Sequence, residues 1–162
     1  MTISTQTEPR DLVGPSKELL LSTPFLLKRL GWLMKERAHE ALESTWMAPQ
    51  HHAVLSMLDE GECRAQASIA DALGYDRSQL VGLLDELEEH GLVERRRDPS
   101  DRRRHLIRMT AAGREALEQL RGISKQLQEE FLAPLDADER RRLHELLLKL
   151  AAHHDVRFAP KG

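Results

Sequence analysis

Arg95-Arg96-Arg97-Asp98-Pro99-Ser100-Asp101-Arg102-Arg103-Arg104-His105-Leu106-Ile107-Arg108 sets seven arginines against two aspartates, a local charge of +5 in a chain whose net charge is −3. The two arginine triplets flank Asp98-Pro99-Ser100-Asp101, which is turn chemistry. Proline presets φ, and Asp and Ser side chains can bond nearby backbone amides. Strand-like runs lie on either side, Leu92-Val93-Glu94-Arg95 and His105-Leu106-Ile107-Arg108-Met109. Together they read as a β-hairpin with a cationic tip. A solvated charged loop is the plainer alternative, and the turn residues and clustered guanidinium groups weigh against it. The partner that suits such a tip is a phosphate backbone.

Working upstream, Asp76 or Tyr75 opens a helix ended by Gly91, in which Leu80, Leu83, Leu84 and Leu87 form one apolar stripe. A short helix precedes it from about Ala65 to Leu73, closed by Gly74. Two short helices joined by a tight glycine turn are the helix-turn-helix pattern, and with the hairpin they make a winged helix. Further upstream, Thr23-Pro24 starts a long helix reaching about Ser44, and Pro49 starts another that stops at Gly61. Downstream, Thr110 caps a helix from Ala111 to about Phe131, Pro134 breaks it, and Asp136 or Asp138 caps a last helix ending near His154.

These 162 residues, 31% charged and only 4% aromatic, favour a mainly α fold with a small β-wing. The domain reading is a mobile arm over 1–22, a dimerisation helix over 23–46, a winged helix-turn-helix lobe over 47–111, dimerisation helices over 112–155 and a frayed tail over 156–162. The terminal helices carry wide apolar faces with little to cover them in one chain, so a second copy is expected to do so. Arginine outnumbers lysine 18 to 6, and guanidinium suits phosphate and guanine edges. No apolar run is long enough for a bilayer and no signal-peptide core opens the chain, so a cytoplasmic protein is expected. No nucleophile elbow, phosphate loop or zinc signature is present, so neither an enzyme nor a cofactor is expected.

Three spaced motifs carry a family resemblance: Gly91-Leu92-Val93-Glu94-Arg95, then Asp98-Pro99-Ser100-Asp101-Arg102-Arg103, then Met109-Thr110-Ala111-Ala112-Gly113. With the order of six helices over about 23–155, the chain resembles the MarR family of bacterial transcription regulators. The resemblance implies a homodimer bound to a pseudo-palindromic operator, with recognition helices in successive major grooves and wings in adjacent minor grooves. It implies a small-molecule effector bound between the dimer region and the DNA-reading lobe, read here as an aromatic or phenolic anion that releases a repressor. Arg103 matches the wing arginine that enters the minor groove, Asp101 the aspartate that holds the wing, and Arg95 the basic residue of the first wing strand. Two departures stand out. Val81 and Gly82 replace a common Thr-Arg pair, and Met47 replaces the usual capping Thr before the second helix. Gly82 either permits close approach to DNA or relieves a crowded packing contact.

Base reading is therefore expected from Arg77, Ser78, Gln79 and Val81, at the start of a recognition helix. Phosphate and minor-groove contacts are expected from Arg95, Arg102, Arg103 and Arg104, with Gln66 and Ser68 as further phosphate candidates, and Asp98 and Asp101 as wing-structuring residues. The acids Asp85, Glu86, Glu88 and Glu89 would repel phosphates, which confines DNA reading to the first two turns. Trp32, Met34, His51 and His52 are the effector-pocket candidates. Cys63, beside Glu62, reads as an inert thiol, because the redox branch of the family carries its cysteine in the first helix. Adjacent histidines on a helix point about 100° apart, so His51-His52 and His153-His154 do not read as metal sites. The competing readings are a winged-helix module that binds protein, and a redox- or metal-responsive member of the same family.

Overall fold

The computed structural model describes residues 13–61 and 64–159. The chain divides into two compact units, Met1–Glu36 and Arg37–Gly162, each described by itself. Helix α1 (Lys17–Leu20) is capped by the Ser16 hydroxyl, and α2 (Thr23–Leu42) runs across the boundary between the units. In the first unit Leu26, Leu27, Leu30 and Trp32 are exposed. Most of the expected N-terminal arm, residues 1–12, lies outside the described residues.

The second unit contains α3 (Pro49–Asp59), β1 (Arg64–Ala65), α4 (Gln66–Leu73), α5 (Arg77–Glu89), β2 (Val93–Arg97), β3 (His105–Met109), α6 (Ala111–Phe131) and α7 (Ala137–His154). It is mainly helical with one antiparallel sheet of order β1-β3-β2. In the hairpin, Val93 pairs with Met109, Arg95 with Ile107 and Arg97 with His105. The edge strand β1 is a departure from expectation: Arg64 and Ala65 pair with Ile107 and Leu106 rather than opening a helix. Two residues are too few to show alternation, so no sequence pattern could announce that strand.

One apolar cluster holds the unit together. Val54, Leu55 and Leu58 of α3, Ile69 of α4, Leu80, Leu84 and Leu87 of α5, Ile107 of β3, and Leu117 and Leu120 of α6 are all essentially buried. Their helical spacing at three and four residues puts each set on one side of its helix. Beyond this core the stripe of α6 continues through Leu127 to Phe131, both half-buried, and the Arg37 guanidinium lies 5.6 Å from the Phe131 ring centroid.

Helix α7 has no buried residue, and Leu146, Leu147, Leu148 and Leu150 are exposed along it. It is fastened at its two ends. Near its start, Arg140 donates to the Leu132 and Leu135 carbonyls and to Glu129. Past its end, a 3-10 turn at Val156–Phe158 brings Arg157 to the Asp71 carbonyl at 2.6 Å, near the C-terminus of α4. The expected frayed tail is corrected on this point, since residues 156–158 are tied down through Arg157 and its Asp155 partner. No helix among the described residues is long and apolar enough to cross a membrane.

The sheet and α6 meet at a close contact. Thr110 caps α6 by accepting from Gly113 N at 3.0 Å, while its hydroxyl donates to the Gly91 carbonyl at 2.7 Å. A Cβ at Gly113 would stand 2.1 Å from the Leu92 carbonyl oxygen and 2.7 Å from Met109 Cγ. Gly113→Ala should therefore cost about 3 kcal/mol, the upper end of what overpacking usually does. Urea denaturation checks this; an unchanged midpoint would mean that α6 does not approach β2 so closely.

Candidate nucleic-acid interface

The turn between α4 and α5 is set by two residues. Gly74 ends α4 with φ of 68°, the left-handed cap that glycine adopts without strain. Asp76 caps α5, accepting 2.7 Å bonds from Gln79 N and from the Ser78 hydroxyl. Those bonds, the backbone amide foremost, hold its carboxyl below the ordinary aspartate range. The cap leaves Arg77, Ser78 and Gln79 exposed on the first turn, with Val81 40% exposed just beyond. Ser78 spends its proton on Asp76 and keeps only acceptor capacity toward a partner.

The wing tip is organised by its two aspartates. Asp98 Oδ1 accepts from Ser100 N and Oγ, and these bonds keep its carboxyl ionised below the usual range. Asp101 Oδ1 accepts from Arg103 N at 3.0 Å, and Arg104 N returns to the Asp101 carbonyl at 2.8 Å. Asp98 N donates to the Arg104 carbonyl and closes the loop. Arg102, Arg103 and Arg104 project from this tip into solvent.

Between the helix-turn-helix and the wing runs an open groove of about 470 Å³. It gathers Gln66 and Ser68 from α4, Arg77 and Val81 from α5, and Arg103 and Arg104 from the wing. Residues separated by almost forty positions in sequence thus share one concave, cationic surface. His105 joins them, a lining residue the sequence reading did not single out. Ser78, Gln79 and Arg102 stand exposed outside the groove. Gly82 faces open space, since a Cβ there would meet no atom within 4 Å. The crowded-packing reading of Gly82 is therefore corrected.

Arg95 sits elsewhere than expected. Its guanidinium Nη1 binds Asp85 at 2.5 Å and Glu88 at 2.8 Å, its backbone N donates to Glu88, and Nη2 reaches the Val81 carbonyl at 3.3 Å. Two carboxylates on α5 hold this arginine, so it ties the wing to α5. The same bonds absorb much of the acidity that the later turns of α5 would otherwise show to a phosphate.

The histidine pair divides. His51 is 2% exposed and caps α3: Ala48 N donates to its Nδ1 at 2.8 Å. This replaces the cap that Met47 cannot supply, and it removes His51 from the wall of an open effector pocket. His52 is half-buried with Nδ1 3.1 Å from Ser124 Oγ, and burial, with Arg121 nearby, holds its imidazole below the ordinary range. Trp32 and Met34 lie in the first unit, where Phe25, Lys28, Arg29 and Trp32 line a shallow recess of about 240 Å³. The Arg29 guanidinium sits 4.4 Å from the Trp32 ring centroid. Cys63 lies outside the described residues. Among the described residues no group of three or more His, Cys, Asp or Glu side chains is placed to hold a metal ion; His153 and His154 meet edge to face, with ring centroids 4.9 Å apart.

Comparison with known proteins places these features among winged-helix regulators. Residues 47–104 match the model of the MarR family. A transcriptional regulatory protein assigned to the hcr operon of Thauera aromatica is 33% identical over 104 residues, 64% of this chain and 63% of that one. The chain thus spans less than two thirds of the length of this curated relative. Among solved structures, a MarR-family transcriptional regulator from Rhodococcus sp. RHA1 is 32% identical, with a TM-score of 0.73 over 79% of this chain and 91% of that one. The repressor CouR bound to a 23-mer DNA duplex is 30% identical, with a TM-score of 0.79 over 86% and 99% of the two chains. CouR from Rhodococcus jostii RHA1 has also been solved with p-coumaroyl-CoA, at 29% identity and a TM-score of 0.73 over 84% and 96%.

The Arg95 bridge predicts a specific coupling. Arg95→Met should lower stability by about 1 kcal/mol, the scale of a partly exposed ion-pair network. In a chain already carrying Asp85→Asn and Glu88→Gln the same change should cost almost nothing. A double-mutant cycle by urea denaturation reads the difference; full additivity would remove the bridge.

Proposed function

This chain belongs to the MarR family, and we propose that it acts as a homodimeric transcription repressor that binds a pseudo-palindromic duplex and is released by a small aromatic anion. The observation that carries the reading is the groove in which Arg77, Val81, Gln66 and Ser68 share one surface with Arg103 and Arg104. The exposed first turn of α5 suits entry into a major groove, where Arg77 and Gln79 read base edges and Val81 meets a thymine methyl. Arg102, Arg103 and Arg104, held at a rigid tip by Asp98 and Asp101, suit the narrow, strongly negative minor groove beside it. Gln66 and Ser68, on the first turn of α4, add phosphate contacts aided by free backbone amides. A net charge of −3 is no obstacle, because screening over about 8–10 Å lets the wing act independently of distant acids.

Dimerisation finds its support in α7, whose row of leucines has no cover within the second unit. A two-fold pair would bury that row and present two recognition helices to successive half-sites. The effector reading is supported by the aromatic and cationic recess of Phe25, Lys28, Arg29 and Trp32, and by the p-coumaroyl-CoA with which CouR has been solved.

The test is fluorescence anisotropy against duplexes selected from a randomised pool, at several salt concentrations. Arg103→Ala should weaken binding about tenfold on every selected duplex and reduce the salt slope by about 1. Arg77→Ala or Gln79→Ala should instead change which sequence is selected. Unchanged affinity and slope in Arg103→Ala would end the wing assignment, and failure to select any duplex would leave a winged-helix module that binds protein.

A further inference from the structure

A second constellation lies behind the DNA-facing surface, on the opposite half of the recognition helix. His51 Nε2 stands 2.9 Å from Glu86 Oε2 on α5, off the line of the N–H bond, so the attraction is electrostatic rather than a well-directed hydrogen bond. One residue past α5, the His90 ring stacks flat on Trp46 with centroids 3.7 Å apart, and its Nδ1 lies 2.9 Å from the Glu86 carbonyl. Trp46 also leans on His51 at 5.2 Å between centroids. Two imidazoles and an indole therefore join the turn before α3 to the last turn of α5. Neither the DNA-reading surface nor the effector recess uses any of them.

The tautomer of His51 is set by its surroundings. Because Ala48 N donates to Nδ1, Nδ1 must be bare and the single proton must sit on Nε2, facing Glu86. Of the elements packed against α3, only α5 and its cap bring titratable groups to bear on His51 among the described residues, namely Glu86 and His90. A second proton can enter only at Nδ1, where it would meet the Ala48 N–H head-on.

We infer that His51 is a positioning residue for DNA reading: through its Nε2 and Glu86 it holds the later turns of α5 against the start of α3. The inference rests on the repressor reading for its DNA arm. Burial is the foremost influence on the His51 imidazole and keeps it neutral below the ordinary histidine range, against the opposing pull of Glu86. A neutral, buried histidine stabilises fully above the unfolded value of about 6.5, and that contribution drains away as pH falls through the lower folded value.

Two isosteres separate the roles of the ring. His51→Asn keeps an acceptor near the Nδ1 position, and so the cap, but cannot reach Glu86. His51→Gln keeps a donor near Nε2 and forfeits both the cap and the titration. On a selected duplex at pH 7.5 the affinity should follow the Glu86 contact rather than the cap, with a loss of about fivefold where that contact is missing. His51→Asn should already be weak at pH 7.5 with near-wild-type stability. His51→Gln should bind like the wild type at pH 7.5. Amide hydrogen exchange of residues 84–90, without DNA, should be quicker in His51→Asn than in the wild type and stay level in His51→Gln. If His51→Asn binds like the wild type, or if it leaves α5 exchange unaltered, the role of His51 is overturned. If no duplex is selected at any pH, the repressor reading fails, and the exchange result alone then supports or overturns the His51 contact.

Discussion

The arrangement of the candidate nucleic-acid surface depends on one guanidinium. Arg95 leaves β2 and is gripped by Asp85 and Glu88, three residues apart on α5. Residues at that spacing are neighbours on a helix surface, so two carboxylates can close on one cation. With Arg95 held, the wing has a set bearing on the recognition helix, and the groove between them has a set width.

That bridge also explains how an acidic helix can serve a nucleic-acid surface. Asp85 and Glu88 are spent on Arg95, and Glu86 turns toward His51. Three of the carboxylates that charge counting assigns to repulsion, Asp85, Glu86 and Glu88, thus have partners within the protein, though they stay exposed to solvent. The first turn is left to Arg77, Ser78 and Gln79, whose backbone geometry is fixed by Asp76. Polarity along α5 is divided lengthwise, with attraction at its start and attachment at its end.

Much of this was legible in the chain. Helix limits followed from local signals, because capping is a matter of adjacent residues: Thr110 and Asp136 stand where their helices begin, and Gly74 where α4 ends. The hairpin and its turn were equally local. What escaped were partnerships across distance. Nothing near Arg95 announces that its partners lie on the preceding helix, and nothing near Met47 says that a histidine four residues on will reach back to cap α3. A two-residue edge strand carries no period, and a tail that contains Arg157 looks loose until Asp71 appears beside it. Of the residues expected to touch DNA, Gln66, Ser68, Arg77, Val81, Arg103 and Arg104 line the groove, while its inclusion of His105 and its exclusion of Ser78, Gln79, Arg95 and Arg102 depend on how the elements pack.

The end-fastened helix α7 has a mechanical meaning. Eighteen residues of helix make a rod of about 27 Å, pinned by Arg140 at one end and by Arg157 at the other. A rod pinned only at its tips behaves as a strut: it transmits displacement rather than absorbing it. Any partner that shifts its leucine-lined side must move the Arg157 end, and with it the close of α4. The spacing between the outer helix and the helix-turn-helix is therefore set by the length of a rigid member, and two side chains, rather than a broad packed interface, act as its joints.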